Sequence, residues 1–245
     1  MEFALDANSK RINIRDAKKK EQYFCPGCKT LMIPKQGNIN VWHFAHKSRE
    51  NCVDYYDNKG EWHRYMQNLF DDDQCEIFND EFGKHIFDVL TKKNRIIEFQ
   101  HSSISESLFW KRTNDYIAHS KLHNAKKPIW IFDYWDKDCI ISRRPFPDWN
   151  SNRFEMKHPV KIFGDYNSKK SEFVLVFRVY PKIWIYDREI RNRRFKYPGT
   201  KYIVIKRYCA DGNGYGNVYT KTQFEHFLSV LNTSDETKRK VCDNE

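Results

Sequence analysis

The spacing of apolar residues changes period along the chain, and each change marks an element. Ala4 and Leu5, the polar pair Asn8-Ser9, then Ile12 and Ile14 alternate around a turn, so residues 3–15 are expected to form a small hairpin. From residue 60 onward, Trp62, Met66, Leu69 and Phe70 recur at the steps of an amphipathic helix. Three strand-like runs follow, at residues 75–78, 86–90 and 96–101. Ser103 with Glu106 three residues later has the form of a helix start, and the helix is expected to run through Leu108, Phe109, Arg112, Tyr116 and Ile117. After Lys126-Lys127-Pro128, the run Ile129-Trp130-Ile131-Phe132 reads as a buried strand. The order is helix, three strands, helix, strand.

Beyond residue 142, strands are expected at 173–180, 183–186 and 202–205. A helix is expected at 222–231, with Phe224, Phe227, Leu228 and Leu231 on one face. Residues 233–245 are polar and read as a frayed tail. The fold class is α+β, with an α/β core. Three regions follow: a hairpin and cysteine-rich module at 1–58, an αβββαβ core at 59–142, and a basic, aromatic-rich, mainly β extension at 143–245 that ends in a helix.

Composition narrows the partners. A chain of 245 residues can bury a sizeable core. Its net charge of +10 suits a polyanion, although charge also serves solubility. No apolar stretch approaches the roughly 20 residues that span a bilayer. Met1-Glu2-Phe3-Ala4-Leu5-Asp6 lacks the basic and apolar regions of a secretory signal, so a cytoplasmic location is expected. Seven scattered cysteines make a poor disulfide framework.

Three of those cysteines crowd beside two histidines. Cys25-Pro26-Gly27-Cys28 is a C-x-x-C knuckle, with His43, His46 and Cys52 downstream. Zinc takes four nitrogen or sulfur ligands in a tetrahedron, and short pairs joined by a loop suit it. Cys25, Cys28, His46 and Cys52 are the favoured ligands, with His43 a stand-in for His46 or a hydrogen-bond partner. A redox pair would want its C-x-x-C at the start of a helix, whereas this one lies between hairpin-like segments. Such a closed site would be structural, organising a module that lacks its own core.

A second constellation is acidic. If residues 86–100 form a hairpin centred on Lys93, Asp88 lies opposite Glu98, with Cβ atoms roughly 4.5–5.5 Å apart. Like charges so placed are destabilising unless something positive joins them. Mg²⁺ or Mn²⁺, which favour carboxylate oxygens, would resolve the conflict. Strand alternation puts Gln100 on the same face as Glu98, and Glu61 on the preceding helix could add an oxygen ligand. Alanine at either acid is expected to abolish metal-dependent chemistry and leave the fold intact.

In chain order, the residues that stand out are Tyr23-Phe24-Cys25-Pro26-Gly27-Cys28, Gly37, His43-Phe44-Ala45-His46, Cys52, Glu61-Trp62-His63 and Asp88-Val89-Leu90. Ile97-Glu98-Phe99-Gln100-His101-Ser102, Arg112, Tyr116 and Trp130 follow. This series, over about residues 4–133, resembles the PD-(D/E)XK nuclease superfamily and, more narrowly, the competence protein CoiA-like family. The resemblance implies a nuclease-like core, with relatives in DNA uptake, recombination or phage defence. It makes Asp88 and Glu98 the metal-binding acids and sets Gln100 where the wider superfamily usually has lysine. CoiA-like sequences carry that glutamine, which cannot bear a positive charge. Gln67 is a second departure, standing where a basic residue is expected. Lys111 or Arg112 could supply the missing charge.

The densest basic stretch, residues 188–197, contains Arg191, Arg193, Arg194 and Lys196 interleaved with aromatic residues. These are the ingredients of a single-strand nucleic-acid surface, or of a solvated strand and turn. Asp211-Gly212-Asn213-Gly214-Tyr215-Gly216 lacks the Lys-Ser/Thr of a phosphate loop and reads as a surface turn. His63, His85 and His101 flank the acidic strands without an assigned role. The expected function is a Mg²⁺-dependent nuclease with structural zinc, acting on DNA rather than RNA, with a possible protein partner or homo-oligomer. The alternatives are a nuclease-fold accessory protein that binds nucleic acid with weak or no turnover, and a zinc-stabilised interaction module.

Overall fold

Two sheets organise the chain. The computed structural model describes residues 1–39, 41–48, 52, 59–82, 84–134, 139–142, 152–156, 161–163, 166–180, 182–185, 193–195, 199–209 and 211–232. The N-terminal sheet is antiparallel, in the order β2-β1-β3-β4-β5. Its strands are β1 (Phe3–Leu5), β2 (Arg11–Asn13), β3 (Tyr23–Phe24), β4 (Leu31–Lys35) and β5 (His43–His46). The expected hairpin forms between β1 and β2. Asp6 Oδ1 closes it by accepting the N–H groups of Asn8 and Lys10, each at 2.9 Å. Ile14 leaves the strand for a 3₁₀ turn, because the Asn13 side chain caps that turn by accepting from Arg15 N–H at 3.0 Å.

The expected order of helix, three strands, helix and strand follows as α1 (Glu61–Gln67), β6 (Cys75–Asn79), β7 (His85–Leu90), β8 (Ile96–Gln100), α2 (Glu106–Leu122) and β9 (Ile129–Tyr134). The start of α2 differs from its sequence reading. Ser105 is the cap, extended at φ −70°, ψ 150° with its Oγ accepting Leu108 N–H at 3.3 Å, so Glu106 is the first helical residue rather than the third.

The remainder supplies β10 (Cys139–Ser142), β11 (Asn152–Met156), α3 (Tyr166–Lys169), β12 (Val174–Val179), β13 (Lys182–Ile185), β14 (Arg193–Phe195), β15 (Lys201–Tyr208), β16 (Asn213–Thr220) and α4 (Lys221–Asn232). These strands continue the sheet begun by β6–β9. Its eleven strands run β14-β13-β10-β11-β16-β15-β12-β9-β8-β7-β6. Toward the β6 edge of this sheet, β8, β9 and β12 are parallel neighbours, with Glu98 beside Trp130 and Trp130 beside Leu175. Both faces of these strands are covered, which is why their runs are mostly apolar, with Glu98, Gln100, Asp133 and Arg178 as the exceptions. Phe109, Tyr116 and Ile117 of α2 share one core with Ile96, Trp130, Phe132, Leu175 and Phe177. Met66 of α1 and Phe224 and Leu228 of α4 share the other with Val89, Ile97, Phe99, Ile131 and Val176. The chain is thus α+β, compatible with a nuclease-like fold.

The glycine-rich run is not simply a surface turn. Gly212, at φ 86°, does turn, but residues from Asn213 onward form β16, paired with β15 and β11. A Cβ at Gly214 would run into the Arg207 carbonyl and the Phe154 ring, and one at Gly216 into the Val204 carbonyl. The glycines permit close approach of backbone to neighbouring elements. The expected polar tail lies outside the described residues. Among those described, no helix is long and apolar enough to cross a membrane.

Candidate functional site

Strands β7 and β8 pair Val89 with Ile97 and Leu90 with Ile96, a register that places Asp88 opposite Glu98. At that level side chains take over from the ladder. Phe99 N–H donates to Asp88 Oδ2 at 2.9 Å, and Asp88 N–H donates to Glu98 Oε2 at 3.5 Å. On the other flank, β6 pairs Cys75 with Val89 and Ile77 with Phe87, while Glu76 between them sits at a left-handed φ of 51°. Alternation flips here. Phe87 packs edge-on against Tyr116 and His119 of α2, whereas Val89 belongs to the core beneath α1 and α4. Asp88 therefore meets α1, and Glu98 meets α2.

The positive charge that two neighbouring acids require comes from side chains. Asp88 Oδ1 lies 3.0 Å from His63 Nε2 and 3.5 Å from Lys59 Nζ. Glu98 Oε1 lies 2.8 Å from an Arg112 guanidinium nitrogen. Lys59 also reaches Glu76 Oε1 at 2.7 Å and Gln67 Oε1 at 3.0 Å. Gln67 donates to the Asp88 carbonyl at 2.8 Å. Glu76 Oε2 accepts from the N–H groups of Glu2 and Phe3, at 2.9 and 3.2 Å, which ties β1 to the site.

Burial separates the two acids electrostatically. Asp88 is 7 % and Glu98 3 % exposed, so desolvation acts to raise both. For Asp88, His63 and Lys59 more than offset that effect and hold the carboxyl well below its usual range. For Glu98, burial prevails over Arg112, Asp88 adds repulsion, and the carboxyl is pushed up to about 8. Glu76 follows Asp88: burial works against it, but Lys59 leads the groups that bring it down to about 2. Acids driven apart in this way can hold and release a proton between them.

The other expected site residues are distributed unevenly. Gln100 is buried, and its Nε2 donates to the Ser102 carbonyl at 2.9 Å and to Ser102 Oγ at 3.2 Å. Glu61 is exposed in the first turn of α1; it is His63, two residues on, that touches Asp88. Lys111 is exposed, while Arg112 holds Glu98. Arg191 and Lys196 lie outside the described residues. Arg193 and Arg194 fall on β14, at the opposite edge of the sheet from β6, so the fold does not bring them to the acids. His85 bonds Asp115 at 2.7 Å, and His101 bonds Asp133 at 2.9 Å beside Arg178. Lys59 and Glu76 carried no sequence signal as site residues; Lys59 is merely the last basic residue before α1.

The cysteine cluster assembles around the N-terminal sheet. Cys25 and Cys28 occupy the turn from β3 to β4, where Lys29 at φ 60° bends the chain and donates its N–H to the Cys25 carbonyl at 3.0 Å. His46 ends β5. The donor atoms of Cys25, Cys28, His46 and Cys52 all lie within 4.8 Å of one another. Cys25 Sγ is 4.0 Å from Cys52 Sγ, and Cys28 Sγ is 3.3 Å from His46 Nε2. Sulfurs bound to one tetrahedral zinc sit about 3.8 Å apart, so this donor set fits such an ion. His43 turns away, its Nδ1 2.8 Å from the Val41 carbonyl, which leaves His46 as the histidine of the group. Burial pushes the Cys25 and Cys52 thiols up, whereas bonds from Thr30 overcome burial at Cys28 and lower it.

Comparison with known families assigns both regions. The family model described as "Competence protein CoiA, nuclease-like domain" matches residues 59–188, and "Competence protein CoiA, N-terminal domain" matches residues 6–54. The chain belongs to the CoiA-like competence protein family. The CoiA nuclease-like match contains α1, both acids, Gln100 and Arg112, and the CoiA N-terminal match contains all four members of the cysteine and histidine group. No curated protein and no solved structure matches the chain.

Proposed function

We propose that this CoiA-like chain is a divalent-metal-dependent nuclease that hydrolyses phosphodiester bonds, with DNA as its substrate, in DNA uptake, recombination or phage defence. The observation that carries the reading is the meeting of Asp88 and Glu98 at the break between β7 and β8, inside the nuclease-like region. Their oxygens suit Mg²⁺ or Mn²⁺. Glu98 Oε2 takes a long bond of 3.5 Å from Asp88 N–H, and a carboxylate oxygen has lone pairs to share with an ion. A metal ion there would polarise the scissile phosphate and lower the pKa of its bound water. Arg112 and Lys59 supply the positive charge that Gln100 cannot, and Gln100, whose Nε2 is held by Ser102, would help to position the attacking water. Zinc on Cys25, Cys28, His46 and Cys52 is structural in this reading.

One feature favours a second reading, a nucleic-acid-binding accessory protein with weak or no turnover. Both acids are buried and already bonded to protein side chains, Asp88 to Lys59 and His63 and Glu98 to Arg112. Incubation of the purified protein with single- and double-stranded DNA and RNA, with Mn²⁺ or with EDTA, separates the two. Cleavage that needs Mn²⁺ and is lost in Glu98→Gln supports the nuclease. Salt-sensitive binding without cleavage supports the accessory protein. Full cleavage by Glu98→Gln overturns the site assignment.

A further inference from the structure

We propose that Glu81, His119 and His123 form a second metal-binding site, selective for a zinc-class divalent ion and separate from both the acidic pair and the cysteine group. His119 lies in the last turn of α2 and His123 is the residue that caps its C-terminus, four positions on, which brings the two imidazoles together with ring centroids 4.3 Å apart. Glu81 faces them from the connection between β6 and β7. Its Oε2 lies 2.8 Å from His123 Nε2 and 3.3 Å from His119 Nδ1, and one donor atom from each of the three residues lies within 4.8 Å of the others. Asn79 steadies Glu81: its Oδ1 accepts the Glu81 N–H at 3.0 Å, and its Nδ2 donates to Glu81 Oε2 at 3.4 Å.

A second observation points to a ligand. His119 is 3 % exposed, and its ring nitrogens are poorly satisfied: Nδ1 has only the 3.3 Å approach of Glu81, and Nε2 has no hydrogen-bond partner. Buried nitrogens without partners are costly and rare in native proteins. The ring is also held in place from behind, with Phe87 edge-on at 5.2 Å. One nitrogen of a packed ring is thus aimed at a carboxylate and a second imidazole. Two imidazoles and a carboxylate suit zinc, cobalt or nickel, whereas Mg²⁺ prefers oxygen throughout. Glu81 is exposed and His123 half-buried, so three protein ligands would leave the fourth position open to water.

The site would tie the β6–β7 connection to the C-terminal end of α2. His119 lies on the same helical stripe as Arg112 and Tyr116, about 10 Å along the axis from Arg112. Metal binding by these three residues does not depend on nuclease activity.

Metal-stripped full-length protein and a Glu81→Gln/His123→Ala variant, each titrated with Co²⁺, would test it. Both substituted side chains lie at or near the surface, and circular dichroism verifies that the variant folds. The wild type should bind one equivalent more than the variant. The spectral difference between them should contain d–d bands without thiolate-to-cobalt charge transfer. Ions held elsewhere cancel in that difference. Equal stoichiometry in the two proteins, or a difference spectrum carrying thiolate charge transfer, would overturn the assignment.

Discussion

Asp88 accepts the main-chain N–H of Phe99 at 2.9 Å, across the point where the β7–β8 ladder gives way. The carboxylate therefore replaces a missing strand partner as well as carrying charge. Alanine at this position would leave a buried N–H unpaired and remove the counter-charge of His63 and Lys59. The expectation of an intact fold after that change gives way to a loss of about 3 kcal/mol or more. Asp88→Asn, which keeps an acceptor for Phe99, should lose about half as much. Urea denaturation midpoints measure both; an Asp88→Ala midpoint equal to that of the wild type would show the bond to be idle. Asparagine is accordingly the cleaner probe of chemistry.

Glu98 gives the protein a distinctive pH response. Its folded-state value of about 8 lies above the ordinary 4.5, so between those values the folded protein binds more protons than the unfolded chain. Its contribution to stability is therefore full below about pH 4.5 and lost as pH rises through 8. Glu76, held at about 2, behaves oppositely: its contribution is present above about pH 4.5 and lost as pH falls toward 2. Thermal midpoints of Glu98→Gln should lose the decline between pH 5 and 8 and keep the acid-side loss. An unchanged alkaline decline would remove Glu98 as its source.

If the proposed ion binds Glu98 it must displace the carboxyl proton, and Mn²⁺ affinity should then climb by up to about tenfold per pH unit below about 8 and level off above it. Calorimetric titration across that range follows the slope. A flat profile would mean that the ion binds without Glu98.

Chelation should act on the N-terminal sheet. The N-terminal sheet does have an apolar cluster, of Ala4, Ile14, Tyr23, Met32 and Phe44, contrary to the expectation of a module without a core, but it is small and includes Cys25 itself. Stripping metal with a strong chelator, or substituting Cys28→Ser, should therefore increase amide exchange through β3, β4 and β5 and leave β8, β9 and β12, which lie in the two larger clusters, protected. His43→Ala should keep the metal, as that side chain points at Val41. Metal loss in His43→Ala but not in His46→Ala would reverse the ligand assignment.

The element order was legible because period and run length differ so clearly between α1, β7, β8, α2 and β9. The facing of Asp88 and Glu98 was legible because a hairpin centred on Lys93 fixes the register arithmetically. The flip at Asp88 was not, since it depends on Glu76 adopting a left-handed backbone without being a glycine. Lys59 could not be assigned from spacing, because it meets Asp88 only when α1 docks on β7. In the Gly214 and Gly216 run, a missing Cβ signals a turn when read locally. The fold instead uses it to admit Phe154 and the β15 carbonyls, contacts set by strands far apart in sequence.

Glu76 leaves the first strand little independence. One of its oxygens receives two amides at the very start of the chain, and the other receives the ammonium group that also leans on Asp88. Peeling that strand away would deprive a sequestered carboxylate of two donors at once and draw Lys59 toward it. An N-terminal truncation should thus alter the charge felt at residue 88, even though no deleted atom touches it.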